Sequence, residues 1–93
     1  MHLRAAVIND LSGLGRCSLS ADIAVLAAMG IEACPLPTAV LTAQTGYEGY
    51  RSVSFASHME AYRCHWHALG IKFAGILSGY LVSPEAARQT AEF

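Results

Sequence analysis

The sequence predicts an α/β fold in which helices cover both faces of a parallel sheet, giving three layers. Two observations predict it. Short and nearly continuous apolar segments, typical of strands buried on both faces, alternate with stretches of helical periodicity. Glycines and prolines stand at most of the boundaries between them. The 93 residues allow one small domain and exclude two.

The first predicted strand covers residues 3–8 and leads into a loop that contains Gly13 and Gly15. Glycine permits backbone angles and close approaches that a Cβ atom would forbid, so we expect a tight loop. Ser18 is expected to cap the first helix, which ends at Gly30. The order is therefore strand, glycine loop, helix.

The second predicted strand covers residues 31–35, because Pro35 and Pro37 confine the next part of the chain to an irregular or edge segment. Residues 38–41 could still pair as a strand. Residues 45–50 combine glycine with polar and aromatic side chains, which is typical of an exposed, mobile loop.

The second half of the chain carries clearer boundary signals. Ser57 and Glu60 match a capping box at the start of a second helix that ends at Gly70. A third buried strand is expected over residues 71–77. The run Ser83, Pro84, Glu85 then starts a third helix with a cap, a proline in the first turn and an acid that favours the helix dipole.

The composition is unusually apolar for so short a chain. Hydrophobic residues make up 54% and charged residues 14%, against about 25% charged in a typical domain. Such an excess implies outward faces that something outside the chain covers. Because the third helix also lacks a stop signal, we expect residues 1–93 to be the N-terminal piece of a larger α/β protein.

Charge and hydropathy exclude several partners and locations. A net charge of −1 without runs of like charge argues against nucleic acid or anionic lipid. No segment is long enough for a signal-peptide core or a membrane span, so we expect no membrane contact and a cytoplasmic protein. The three cysteines, which share no metal-type spacing, are expected to be reduced and buried: Cys17, Cys34 and Cys64.

Polar clusters follow each predicted strand, and ligands of open parallel sheets bind beyond the carboxyl ends of the strands. The clusters are residues 9–15, 45–47 and 78–80. Any one of them could be an ordinary turn. Their convergence at one edge of the sheet favours a binding pocket.

Two other site types are weakly supported. Residues 13–18 approximate a dinucleotide fingerprint, but the third glycine is Ser18 and no acid ends the second strand. Cysteine and histidine at positions 58, 64, 65 and 67 are metal-ligand types, yet no three share a helix face. We therefore predict no metal site, and no catalytic dyad can be assembled. The inward helix stripe is expected to be Phe55, Met59, Tyr62, Trp66 and Leu69.

The motifs together resemble the N-terminus of the pyridoxal or pyridoxamine kinases, which belong to the ribokinase-like superfamily. The resemblance starts in residues 8–19, INDLSGLGRCSL, and continues through residues 28–30, AMG, and 34–41, CPLPTAVL. It extends in the family's order through Thr45-Gly46-Tyr47, His58-Met59 and Ser78-Gly79-Tyr80, and so covers essentially the whole chain. It implies a ribokinase-like (Rossmann-like) fold, of which this chain is the N-terminal portion.

The resemblance also implies an activity and a set of substrate contacts. The family transfers the γ-phosphoryl group of ATP to the 5′-hydroxymethyl of pyridoxal, pyridoxine or pyridoxamine, and the intact parent would use MgATP and form a homodimer. Residues 38–50 would belong to the lid region and the dimer contact. The implied substrate-binding residues of this chain are Asp10, Ser12, Thr45, Gly46 and Tyr80.

Two departures from the family limit this interpretation. Ala43 and Gln44 stand where the family often has Asn-His, so the resemblance does not carry the family's polar contacts over to these two positions. The C-terminal nucleotide site and catalytic aspartate of the family are absent, so the fragment is expected to be inactive alone and has no catalytic residue of its own. Two alternatives stay open: a non-catalytic module that binds a partner through an exposed sheet edge, and a dinucleotide-binding domain.

Overall fold

A computed structural model describes residues 2–79 and 83–93 of the chain. The predicted three strands and three helices alternate along these residues, and one short strand and one 3₁₀ helix are present in addition. The elements in chain order are β1 (Leu3–Ser12), α1 (Ser18–Ala28), β2 (Ile31–Leu41), β3 (Ser52–Ser54), a 3₁₀ helix (Ala56–His58), α2 (Met59–Ala68), β4 (Gly75–Ser78) and α3 (Pro84–Ala91).

The strands form one mostly parallel sheet in the order β3-β2-β1-β4. The central strand β1 pairs in parallel with β2 on one side and β4 on the other, while β3 pairs antiparallel with β2. Neighbouring residues of a strand point to opposite faces. Ile8 packs with Met59 of α2 and Ala86 of α3, whereas Asn9 bonds to Asp22 of α1, so helices cover both faces and the predicted three layers are confirmed.

Both long strands continue past the ends predicted for them. β1 extends through the polar residues to Ser12, because β2 pairs with it along its whole length. β2 continues past Pro35, where the predicted strand ended, and runs through Pro37 to Leu41. A proline is tolerated where its missing N–H faces an unpaired edge, and the outer side of β2 is paired with β3 only at residues 39–41.

Two of the predicted helix caps are not formed. Cys17, not Ser18, occupies the N-cap of α1, and Ser18 instead has a φ of 52° and donates its hydroxyl to Asp10. Ser57 lies inside the 3₁₀ helix, so the predicted capping box with Glu60 is absent and α2 starts without a side-chain cap.

The remaining helix boundaries agree with the sequence. Gly30 and Gly70 follow α1 and α2 with φ values of +77° and +72°, the left-handed conformation that glycine adopts most easily. Ser83 caps α3 as predicted, its Oγ accepting from the backbone N–H of Ala86 at 3.1 Å.

The third parallel strand, β4, is shorter and more exposed than predicted. It covers Gly75–Ser78, not residues 71–77, and all four residues are exposed. Ile76 is 50% and Leu77 46% exposed. Within the described residues β4 pairs with β1 alone, so its outer edge carries no strand from that part of the chain.

The main core lies between the sheet and the second and third helices. Ile8, Leu36 and Met59 are fully buried there, and Tyr62 and Trp66 pack against them. Met59, Tyr62 and Trp66 therefore confirm the predicted inward stripe of α2. Leu69 does not, because it is 60% exposed after the helix has ended. Phe55 reaches the cluster through an edge contact with Tyr62, with ring centroids 5.7 Å apart.

Truncation of Met59 tests this core. Met59→Ala should lower the free energy of unfolding by about 2–5 kcal/mol, since it removes a buried side chain and leaves a cavity. Met29→Ala is the matched control, because Met29 is 65% exposed and should change stability by less than about 0.5 kcal/mol. Urea unfolding followed by circular dichroism measures both. Equal losses would contradict the assigned core.

Candidate functional site

A cavity of about 210 Å³ opens near the carboxyl end of β2. β2 and β3 supply part of its wall, the loop between them supplies another part, and the start of α3 closes it. We call it the hydroxyl pocket, since most of its lining side chains carry a hydroxyl group. The lining residues are Ala39, Leu41, Thr45, Tyr50, Ser52, Ser54 and Ser83.

Strand register sets the composition of the pocket wall. Leu41 pairs with Ser52 and Ala39 with Ser54, and paired residues of neighbouring strands share a face of the sheet. Apolar side chains of β2 therefore lie beside serines of β3. Two hydrogen bonds close the connection between the strands: Thr42 N–H donates to the carbonyl of Arg51 at 2.8 Å, and Arg51 N–H to Thr42 Oγ1 at 2.9 Å.

Asp10 and Ser12 lie next to this pocket, without being among the residues that line it. Ser12 is the register partner of Leu41 and so shares the pocket's face of the sheet. Both side chains are buried, each 5% exposed. Ser12 Oγ donates to Asp10 Oδ2 at 3.3 Å, and Ser18 Oγ donates to Asp10 Oδ1 at 2.8 Å. The carboxylate thus ties the end of β1 to the start of α1.

The glycine loop packs against the chain that follows β2. Gly13 N–H donates to the carbonyl of Leu41 at 2.9 Å, and Gln44 N–H donates to that of Leu14 at 2.9 Å. A Cβ atom on Gly13 would lie 2.7 Å from the carbonyl oxygen of Thr42, closer than van der Waals contact allows. Protein packing alone therefore requires glycine here, which removes the main support for a dinucleotide fingerprint.

At the end of β1, the first polar cluster meets Gly79 of the third cluster and the residues that precede the second cluster. The glycine loop holds residues 42–44, which lead directly to Thr45. Gly79 N–H donates to the carbonyl of Ile8 at 2.9 Å, and a Cβ on Gly79 would overlap the side chain of Asn9. Gly46 is exposed in the loop with open space around it. Tyr80 lies outside the described residues, so its role stays a prediction.

The sequence interpretation missed part of the pocket. The segment Ser52–Ser54 has only one apolar residue, so no strand signal identified β3. Ser83 was recognised as a helix cap and not as a pocket residue. Tyr50 was placed in an exposed loop, where it is 41% exposed, and no signal distinguished it from its neighbours.

The one cysteine and the two histidines of α2 do not line this pocket. Cys64, His65 and His67 are exposed. Within residues 2–79 and 83–93, no group of three or more His, Cys, Asp or Glu side chains could hold a metal ion. All three cysteines are free thiols, but their expected burial is wrong, because Cys17 and Cys34 are half-buried and Cys64 is exposed. Burial, reinforced by the Glu32 carboxylate, raises the pKa of the Cys34 thiol.

MgATP, which the family resemblance implies, does not fit the described residues. The part of the chain that the structure describes contains no cluster for the metal, and the sequence has no phosphate-binding loop motif. The single lysine, Lys72, is exposed and is not part of the hydroxyl pocket. The described helices also include none long and apolar enough to cross a membrane.

Comparison with solved structures identifies the fold. A Bacteroides thetaiotaomicron protein assigned as a phosphomethylpyrimidine kinase, crystallised with pyridoxal, is 38% identical over 100% of this chain, with a TM-score of 0.96. Pyridoxal kinase from Lactobacillus plantarum is 30% identical over 97% of the chain, with a TM-score of 0.90. Pyridoxal kinase from Leishmania donovani, in complex with ADP and pyridoxamine, shares the fold at 18% identity and a TM-score of 0.88 over 96% of the chain.

The match covers all of this chain but little of its neighbours. The chain spans about a third of each, namely 32% of the Bacteroides structure, 33% of the Lactobacillus structure and 32% of the Leishmania structure. No protein-family model and no curated protein matches it. The structural neighbours confirm the resemblance to the pyridoxal kinases and the fold of the N-terminal portion of a ribokinase-like kinase.

A glycine substitution tests the packing of the loop. Gly13→Ala should destabilise the protein by about 1–3 kcal/mol, because the new Cβ meets the Thr42 carbonyl at 2.7 Å. Gly46→Ala is the matched control, since no atom lies within 4 Å of its Cβ position. Thermal unfolding of both variants measures the difference. A Gly13→Ala variant as stable as Gly46→Ala would contradict the close approach.

Proposed function

We propose that this chain is the substrate-binding N-terminal part of a pyridoxal kinase-like phosphotransferase. In the intact enzyme, the γ-phosphoryl group of MgATP would pass to the 5′-hydroxymethyl of a B6 vitamer, which is pyridoxal, pyridoxine or pyridoxamine. The observation that carries the proposal is the match to the Bacteroides structure, which contains pyridoxal and is 38% identical over the full length of this chain.

The size and lining of the hydroxyl pocket support a small polar ring as the ligand. Sites for drug-sized ligands occupy about 300–1,000 Å³, and this cavity has about 210 Å³. A single pyridine ring suits it better than a dinucleotide. Ala39 and Leu41 offer an apolar surface for the ring, and Thr45 offers a hydroxyl for one of its polar substituents.

Asp10 and Ser12 would act beside the ring and not against the phosphate. The Asp10 carboxylate is held by two hydroxyl donors, so its negative charge stays fixed near the pocket. A fixed anion there favours a cationic or hydrogen-donating edge of the ligand. We assign these two residues to orientation of the vitamin, together with Thr45, Gly46 and Tyr80.

Phosphoryl transfer needs positioned phosphates, a metal and a base. We propose that polypeptide corresponding to the remaining two thirds of the neighbours supplies them, since the described residues have no metal cluster. The chain alone should then bind the vitamin without phosphorylating it. A homodimeric parent and a cytoplasmic location complete the proposal.

A non-catalytic interaction module is the second candidate, and the exposed strand β4 favours it. Ile76 and Leu77 are about half exposed, and an unpaired strand edge can accept a strand from a partner.

Mixing the chain with the C-terminal two thirds of the Lactobacillus kinase separates the candidates. Restored kinase activity supports the enzyme, whereas stable self-assembly without vitamin binding supports the module.

Removing the Thr45 hydroxyl tests the proposed site. Thr45→Val keeps the side-chain shape but loses the hydrogen bond, so pyridoxal affinity should fall roughly tenfold, the equivalent of about 1.4 kcal/mol. Isothermal titration calorimetry on the chain measures it. His67→Ala, on the exposed face of α2, should bind like the wild type. Absence of binding by the wild type, or loss of binding in His67→Ala, would contradict the proposal.

A further inference from the structure

The hydroxyl pocket is rich in hydrogen-bond donors. Its lining includes five hydroxyl side chains, and none of them donates its O–H to an acceptor within the described part of the chain. Each hydroxyl can donate one hydrogen bond as well as accept, so the pocket can bind a ligand that presents acceptor oxygens. The hydroxyl side chains are Thr45, Tyr50, Ser52, Ser54 and Ser83.

Two of these hydroxyls are oriented by the backbone. Ser83 Oγ accepts from the N–H of Ala86 at 3.1 Å, and Ser54 Oγ accepts from the N–H of Ala56 at 3.3 Å. A serine hydroxyl has two lone pairs and a single hydrogen. The backbone N–H takes one lone pair and restrains the oxygen, and the hydrogen can still donate to a ligand.

Neither oxygen lies in a freely moving side chain. Ser83 is the N-cap of α3, whose first turn depends on that hydrogen bond. Ser54 faces Ala39 across the β2–β3 pair. Donors that are already restrained cost less entropy to engage than free ones, so they contribute more to specificity.

We propose that Ser83, assisted by Ser54, is a specificity-determining residue that donates a hydrogen bond to an acceptor oxygen of the bound pyridine. This proposal rests on the proposed function. Pyridoxal has three acceptor oxygens, in its ring hydroxyl, its carbonyl and its 5′-hydroxymethyl. The last is the phosphoryl acceptor in the proposed function, so we assign the hydrogen bond to the phenolic or the carbonyl oxygen. The apolar surface of Ala39 and Leu41 supports the ring while the serines select for the oxygen.

The variants Ser83→Asn and Ser83→Asp separate the role of Ser83 as a hydrogen-bond donor to the ligand from its role as the cap of α3. Both side chains accept from the Ala86 N–H as good N-caps, but only asparagine can also donate. Ser83→Asp should therefore bind pyridoxal at least about tenfold more weakly than Ser83→Asn. Thermal unfolding should show the same midpoint for both within error. Equal affinities of the two variants would overturn the proposal.

A second pair of variants controls for the negative charge that aspartate adds. Ser57→Asp and Ser57→Asn make the same change in the 3₁₀ helix, at an exposed position that does not line the pocket. Their affinities for pyridoxal should agree within about twofold, because a surface charge is screened. A tenfold difference at Ser57 as well would show a general charge effect and overturn the role of Ser83.

Ligand analogues identify the accepting oxygen. Pyridoxamine lacks the carbonyl, and a pyridoxal analogue without the ring hydroxyl lacks the phenolic oxygen. The Asp–Asn difference at Ser83 should vanish for the ligand that lacks the acceptor, and its persistence with both would overturn the proposal. Failure of the wild type to bind any vitamer would overturn the proposed function too. Wild-type binding with equal Ser83 variants would overturn this inference alone.

Discussion

The parallel pairing of β1 with β2 is the interaction on which the rest of the structure depends. It runs from the Leu3–Ile31 pair to the Ser12–Leu41 pair, with a shift of register between Asn9 and Leu11 where β2 takes one extra residue. A shift of one residue exchanges the faces of a strand. The shift therefore decides that Ala39 and Leu41 face the pocket, while the alternate residue Val40 stays exposed on the other face.

The same pairing explains why a glycine motif similar to a nucleotide fingerprint serves another purpose here. Because the ends of β1 and β2 lie side by side, the glycine loop after β1 meets residues 42–44 after β2 and bonds to their backbone. The contact leaves no room for a Cβ at Gly13. It also fixes the segment that leads to Thr45. The loop therefore positions the chain that leads into the hydroxyl pocket, the site that we propose for the vitamin.

Local signals in the sequence predicted the three helices and a parallel sheet, because apolar periodicity and glycine stops are properties of short segments. They could not predict interactions made across the fold. The continuation of β2 through Pro35 and Pro37 depends on its pairing with β1. Ser18 does not cap its helix, because its hydroxyl donates to the carboxylate of Asp10 on the end of β1. The site residues divide in the same way. Thr45 was predicted from its place after the second strand and from the family resemblance, whereas Ser52, Ser54 and Ser83 reach the pocket only through strand register and helix placement.

A ¹⁵N–¹H correlation titration of the 93-residue chain with pyridoxine tests the central claim most directly. Pyridoxine has no aldehyde and cannot form an imine with Lys72, so every shift reports non-covalent binding. We expect the amides of Thr45, Ser52, Ser54 and Ser83 to shift together along one saturable curve, while those of residues 64–67 on α2 do not move. Shifts confined to α2, or no saturable shift around the hydroxyl pocket, would contradict the claim that this pocket binds the vitamin.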